Sequence, residues 1–285
     1  MAKKQKSATN LLEVQNAAKT MFANIRFQSI DNEIKTILMT SSVPDEGKTT
    51  AAWYLAQAAA TAGHMVLLVE CDMRRRSLAS MLNLHPQNGL VAVLTGSTSM
   101  RDAIVPTTVK GLYFLDAEPS VPNPADLLAS KRFAQLNEAL AKQFDYVIYD
   151  TPPVGTFIDA AVLGRVVDGA ILAVRPGKVK RQELELAREQ LENAEVNVLG
   201  ICTTFVEGTG SEYYYSYYTK DHSKKKGEVA LEQVPQKAEM PNQLIDRPTG
   251  QVSSGASGRS VPRGGVTYSS LPTTKSKKSS GSHSR

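Results

Sequence analysis

Cysteine is almost absent from this chain. Two thiols in 285 residues, Cys71 and Cys202, make neither a disulfide framework nor a metal site. Both stand in apolar, strand-like stretches, so buried thiols in a reducing compartment are expected. Long apolar runs are missing as well. The most apolar stretch, residues 51–69, is interrupted by Gln57, Gly63 and His64, which argues against a membrane span. The basic start (Lys3, Lys4, Lys6) is not followed by an apolar segment, so no signal peptide is expected and a cytoplasmic location is. A basic core is also lacking. The formal net charge is +5, but residues 220–285 hold 12 Lys+Arg against 5 Asp+Glu, a net of +7, which leaves −2 for the rest. The positive charge belongs to the tail and makes no case for nucleic acid as a partner.

What remains is a chain with 41% hydrophobic residues, enough for a real core. Apolar runs at 35–40, 64–69, 111–115, 146–149, 169–174 and 196–205 read as six strands. Helices are expected between them at 48–62, 122–128, 130–142, 158–166 and 180–194, with short helices and turns over 78–105. Gly63 is the left-handed residue expected to end the 48–62 helix, and Asn123 and Pro124 are the N-cap and first residue of another. A further helix over 9–27 is capped by Thr9 or Asn10. Strands that are apolar throughout, alternating with helices, indicate an α/β fold: a mostly parallel sheet with helices on both faces, in three layers. The expected divisions are an N-terminal helical arm (1–34), an α/β domain (35–207), a tyrosine cluster (208–219) and a disordered basic tail (220–285) rich in Ser, Gly, Pro, Lys and Thr.

The first expected strand runs into Thr40-Ser41-Ser42-Val43-Pro44-Asp45-Glu46-Gly47-Lys48-Thr49-Thr50, and a helix follows. Strand, tight loop ending in Gly-Lys-Thr and helix form a phosphate-binding arrangement. Backbone N–H groups and the helix start face an anion, Lys48 adds a point charge, and the Thr49 hydroxyl is suited to Mg²⁺. Ser42 stands where the full pattern has glycine. Ser42, Pro44, Asp45, Glu46, Gly47, Lys48, Thr49 and Thr50 are the residues expected around the phosphates of ATP. An ordinary loop capping a helix is the other reading of this stretch.

Three carboxylates follow strands directly and would meet on the same rim. Asp150, after Tyr146–Tyr149, stands where a phosphate-loop protein places a Mg²⁺ ligand; a turn Asp before two prolines is the alternative. Glu70 and Asp72 are two apart, so a continuing strand points both to one face. Beside ATP phosphates such a pair divides the work, one serving Mg²⁺ and the other accepting a proton from a hydroxyl nucleophile. A pair salt-bridged to Arg74, Arg75 and Arg76 competes with that reading. Tyr213, Tyr214, Tyr215, Tyr217 and Tyr218 are five of the ten tyrosines, with no apolar partners nearby. Exposed phenols are phosphoryl acceptors; an aromatic segment that stacks on a partner is the alternative.

Together these segments resemble the bacterial tyrosine kinases of capsular and exopolysaccharide synthesis, over roughly residues 16–219. Ser41–Thr50 resembles that family's Walker A motif, Val66–Arg74 its A′ motif and Tyr146–Pro153 its Walker B motif. The resemblance implies a P-loop NTPase-like kinase that uses ATP and Mg²⁺ and phosphorylates its own tyrosine cluster between copies. It implies Lys48, Asp72 and Arg74 as catalytic residues, with Asp72 as the base, and Thr49, Glu70, Asp72 and Asp150 around the metal. It further implies a separate membrane activator, or chain-length regulator, that brings the kinase to the inner face of the membrane, and other tyrosine-bearing substrates. Glu70 replaces the usual first Asp of the A′ motif. The family's Glu-x-x-Arg-x-x-Arg oligomerisation motif falls on Asn16-Ala17-Ala18-Lys19-Thr20-Met21-Phe22, and Thr204 stands for a common Asn near adenine. Partitioning and division-site ATPases carry an extra lysine where this chain has Val43. A non-catalytic, nucleotide-binding adaptor of a polysaccharide export complex is the remaining alternative.

Overall fold

The computed structural model describes residues 2–30 and 32–206, with residues 2–10 as backbone alone; the tyrosine cluster and the basic tail lie outside the described residues. Seven strands form one sheet: β1 (Thr36–Ser41), β2 (Val66–Glu70), β3 (Ile104–Pro106), β4 (Leu112–Leu115), β5 (Tyr146–Asp150), β6 (Gly169–Val174) and β7 (Val198–Thr203). Their order is β3-β4-β2-β5-β1-β6-β7. Every pairing is parallel except β3 with β4. The expected parallel sheet is therefore present, with one strand more than the hydrophobic pattern indicates. Ile104–Pro106 is too short to carry a period, and its proline, which lacks an N–H, sits at the sheet edge where no donor is required.

Alternate residues of each strand feed two cores. On one face, Ile37, Met39, Leu68 and Ile148 meet α1 (Ala2–Gln28), α2 (Lys48–Thr61) and Leu78 of α3 (Leu78–Leu82). On the other, Leu38, Leu67, Tyr149 and Leu172 meet α4 (Leu90–Thr95), α5 (Met100–Ala103), α6 (Pro124–Leu128), α7 (Lys131–Gln143), α8 (Asp159–Gly164) and α9 (Arg181–Asn193). The face of α2 toward the sheet is built mainly from Ala52, Ala56 and Ala59 with Leu55. Small side chains bring the helix close to β1, which fixes the short loop between them.

Some local expectations change. Helix α1 extends back to Ala2, so Thr9 and Asn10 lie inside it rather than capping it. Asn123 occupies the N-cap position of α6, yet its side chain makes no capping bond; Pro124 supplies the first-turn geometry instead. Gly63 takes the left-handed conformation just past α2, as its position implies. Cys71 is buried, but Cys202 is only half-buried because β7 is an edge strand.

The N-terminal helix packs onto the sheet. Ala18, Phe22 and Ile25 belong to the core beneath the sheet. Phe22 meets the rings of His64 and Tyr146 edge-on at 5.5 and 5.1 Å. The position aligned with the second arginine of the oligomerisation motif is thus a core anchor, while Lys19 faces solvent. Phe22→Ala is expected to lower the unfolding free energy by about 3–5 kcal/mol in urea titrations, whereas Lys19→Ala changes it by about 0.5 kcal/mol or less. Equal effects at the two positions would contradict the packing.

Candidate active site

Parallel pairing lines up the strand ends. Met39 of β1 and Glu70 of β2 both register with Asp150 of β5. Beyond these residues the chain must leave the sheet, and it does so on one rim. The backbone there stays tied: Cys71 N donates to Asp150 O, Thr151 N to Met39 O and Val154 N to Ser41 O. Gly155 lies against the phosphate loop, where a Cβ would come within 2.3 Å of the Ser42 carbonyl oxygen.

The loop between β1 and α2 closes around Glu46. This carboxylate is fully buried, accepts the N–H groups of Ser42 and Val43 with one oxygen and that of Arg175 with the other. Gly47 sits at φ 82°, in the left-handed region, as the N-cap of α2. Thr204 Oγ1 donates to the Glu46 carbonyl, and the Phe205 ring lies next to Gly47, with the Arg175 guanidinium 4.1 Å above that ring. Glu46 therefore braces the loop from inside instead of facing an anion. Pro44 and Thr50 are exposed, and Asp45 is held on the outer lip by Arg75 at 2.9 Å and Lys178 at 3.8 Å. Ser42 is buried and its hydroxyl has no hydrogen-bond partner among the described residues.

Lys48 points to the carboxylates. Its Nζ lies 3.0 Å from Asp72 Oδ2 and 3.5 Å from Asp150 Oδ1. Burial works against the ammonium, but Asp150 and Asp72 outweigh it and raise its pKa. Thr49 Oγ1 donates to Asp150 Oδ2 at 2.6 Å. Burial raises the Asp150 carboxyl to about 6 in spite of Lys48 and Thr49. Its Oδ1, 3.5 Å from Lys48 Nζ, keeps a buried lone pair without a well-formed hydrogen bond among the described residues. Beside the Thr49 hydroxyl, that hard, charged oxygen is the atom a Mg²⁺ ion would satisfy, so the residues present fit the metal.

Glu70 and Asp72 do not share a face. Strand β2 stops at Glu70, and the two carboxylates diverge. Glu70 turns inward: Oε2 accepts the N–H groups of Ser77 and Leu78, and Oε1 accepts that of Asp72. Burial, and then the charge of Asp150, push its pKa up to about 8. Asp72 instead faces Lys48 with one oxygen and accepts Arg75 N with the other. The three arginines that follow pair elsewhere: Arg74 with Asp159, Arg75 with Asp45 and Arg76 with Asp116. The salt-bridged alternative for Glu70 and Asp72 thus fails. Sequence reasoning missed Asp159, Arg175 and Phe205 at this rim. No spacing rule links them to the motifs, because they arrive on separate loops.

A carboxyl whose pKa is higher in the folded chain than in the unfolded one binds its proton more tightly when folded. Its stabilising contribution is complete at low pH and lost as pH rises through the folded value. For Glu70, shifted from 4.5 to about 8, and Asp150, shifted from 3.8 to about 6, both effects have the same sign. The nucleotide-free protein should lose stability from pH 5 to pH 8, and in Glu70→Gln the loss should level off above about pH 7, once Asp150 has titrated. Urea midpoints across that range check this; a rising curve in the unsubstituted protein would contradict it.

A family model described as an AAA domain matches residues 34–179. Tyrosine-protein kinase YwqD of Bacillus subtilis is 35% identical over 208 residues, which span 73% of this chain and 88% of that protein. Among solved structures, the kinase domain of the Escherichia coli tyrosine kinase ETK superposes with a TM-score of 0.62 at 31% identity, covering 66% of this chain and 73% of that one. The chimerical protein CapA2B2 gives a TM-score of 0.64 at 30% identity, covering 67% and 84%.

Proposed function

The chain belongs to the bacterial tyrosine-protein kinases built on the AAA-domain P-loop fold, and from that premise we propose that it phosphorylates its own tyrosine cluster at 213–218 from Mg²⁺-ATP. The observation that carries this reading is the convergence of Lys48, Asp72 and Asp150 within 3.5 Å contacts at the rim where the phosphate loop ends. A phosphate-loop lysine, a base and a metal ligand are the minimum set for transfer to a phenol.

The chain's own residues divide the work as follows. Lys48 leaves its carboxylates for phosphate oxygens, and the α2 N-terminus with the loop N–H groups from Gly47 onward lies along the phosphates. Thr49 and Asp150 would hold Mg²⁺, which when bound would offset negative charge on the phosphates. With Lys48 withdrawn, Asp72 is free to accept the phenolic proton. The phenol oxygen forms its bond to the γ-phosphorus as the bond to the bridging oxygen breaks, and ADP departs with that electron pair. Glu70 supports the base at one remove, by accepting the Asp72 N–H. Arg74, on the same turn as Asp72, supplies positive charge at the rim. Tyr213, Tyr214, Tyr215, Tyr217 and Tyr218 are the acceptors, served between copies, and other tyrosine-bearing proteins are further substrates.

The kinase works in the cytoplasm, held at the inner face of the membrane by a separate membrane activator of polysaccharide chain length, and its phosphorylation state regulates polysaccharide export. Among the described residues no helix is long and apolar enough to cross a membrane. Incubation with Mg²⁺-ATP and the cytoplasmic tail of such an activator, followed by mass spectrometry, should place phosphotyrosine within residues 213–218. Lys48→Met should abolish it, and Asp72→Asn should lower kcat by about 10²- to 10⁴-fold while nucleotide binding persists. Intact ATP binding without phosphotyrosine would contradict the reading.

A further inference from the structure

Asp159 is a fully buried carboxylate at the start of α8, nine residues beyond Asp150. Among the described residues, the one side chain that reaches its oxygens is Arg74, whose Nη2 lies 3.3 Å from Oδ2 and 3.5 Å from Oδ1. The same guanidinium lies 4.1 Å over the ring of Phe157, two residues before Asp159. Arg74 is thus gripped on its face and on one edge by the segment that leaves the metal-ligand strand.

Arg74 itself belongs to the turn that carries Asp72. The Arg75 N–H closes that turn, donating to the Asp72 carbonyl at 3.2 Å and to Asp72 Oδ1 at 2.9 Å. On the other side, the 151–158 segment is tied to β1: Thr40 Oγ1 donates to Pro152 O, and Val154 N donates to Ser41 O and reaches Thr40 Oγ1. The guanidinium therefore bridges two loops, one bearing Asp72 and the other leaving Asp150. A buried carboxylate without its cation is costly, so the bridge holds its geometry more firmly than a surface pair does. The Arg74 side chain nonetheless stays 36% exposed.

We propose that Asp159 is a positioning residue of the kinase: through Arg74 it locks the Asp72 turn in register with the Asp150 loop. This inference rests on the tyrosine-kinase reading for its effect on rate, but not for its effect on the turn. Loosening the bridge leaves the phosphate loop, Thr49 and Asp150 in place. What it moves is the distance between the base and the phenol, and small displacements of reacting groups cost rate much more than binding.

The test compares Asp159→Asn with the unsubstituted full chain by two measurements. In native-state hydrogen exchange, the Arg75 amide should exchange at least tenfold faster in the variant while the Leu68 amide in β2 is unchanged. In the phosphotransfer assay, kcat should fall by about 10- to 100-fold with Mg²⁺-ATP affinity within about twofold. Arg74→Gln, which also removes the rim charge, should lose at least as much, and the double variant should be no slower than the slower single one. Where Asp159→Asn does not fold, Arg74→Lys, which keeps the charge but not the fork or the stack on Phe157, should show the same faster Arg75 exchange. Unchanged Arg75 exchange, multiplying losses in the double variant, or a parallel loss of ATP affinity would overturn the proposal. An unsubstituted protein that makes no phosphotyrosine would count against the kinase reading alone, because the exchange measurement still decides the bridge.

Discussion

One buried ammonium holds this site together. Lys48 lies between Asp72 and Asp150, with Glu70 close behind, so a single cation faces three carboxyl groups in a place that water hardly reaches. Such a cluster cannot carry all its charges cheaply. The protein answers in two ways: burial keeps Glu70 and Asp150 reluctant to ionise, and backbone N–H groups or hydroxyls take up most of the remaining lone pairs. The oxygen left over, Asp150 Oδ1, is the one that a divalent cation would satisfy. Phosphates and a metal would relieve this electrostatic frustration: in the proposed mechanism Lys48 turns to phosphate oxygens, which frees Asp72 to accept a proton.

The rest of the fold keeps these groups within reach of one another. Parallel register puts Met39, Glu70 and Asp150 level across three adjacent strands. The alanine face of α2 brings the helix down onto β1, which leaves little slack in the phosphate loop. Glu46 then uses its carboxylate to gather the N–H groups of Ser42, Val43 and Arg175, so the first half of the loop is shaped by a side chain and the second half is left for an anion. At the opposite end of the sheet, Phe22 wedges α1 against His64 and Tyr146, and the N-terminal helix becomes part of the core.

Much of this was legible in the sequence. Lys48, Thr49, Asp72 and Asp150 could be found because each follows a strand whose apolar run is unmistakable, and in a parallel sheet strand ends converge. The orientation of Glu70 could not be read. A period of two holds only while the strand lasts, and β2 ends at Glu70 itself, so its carboxylate turns to the first N–H groups of α3. Glu46 looked like one more residue around the phosphates, yet its role depends on Arg175, which is 129 positions away. Asp159 was invisible for the same reason: its partner Arg74 is 85 residues upstream. The short edge strand β3 escaped because three residues carry no period.

The central claim is that Lys48 and its two carboxylates form one coupled charge cluster in the nucleotide-free protein. A double-mutant cycle with Lys48→Met and Asp150→Asn tests it, read as unfolding free energy in urea at pH 7 without nucleotide. Lys48→Met alone should destabilise strongly, because it strands buried carboxylates, and adding Asp150→Asn should restore a large part of that loss. Strictly additive effects of the two substitutions would contradict the account.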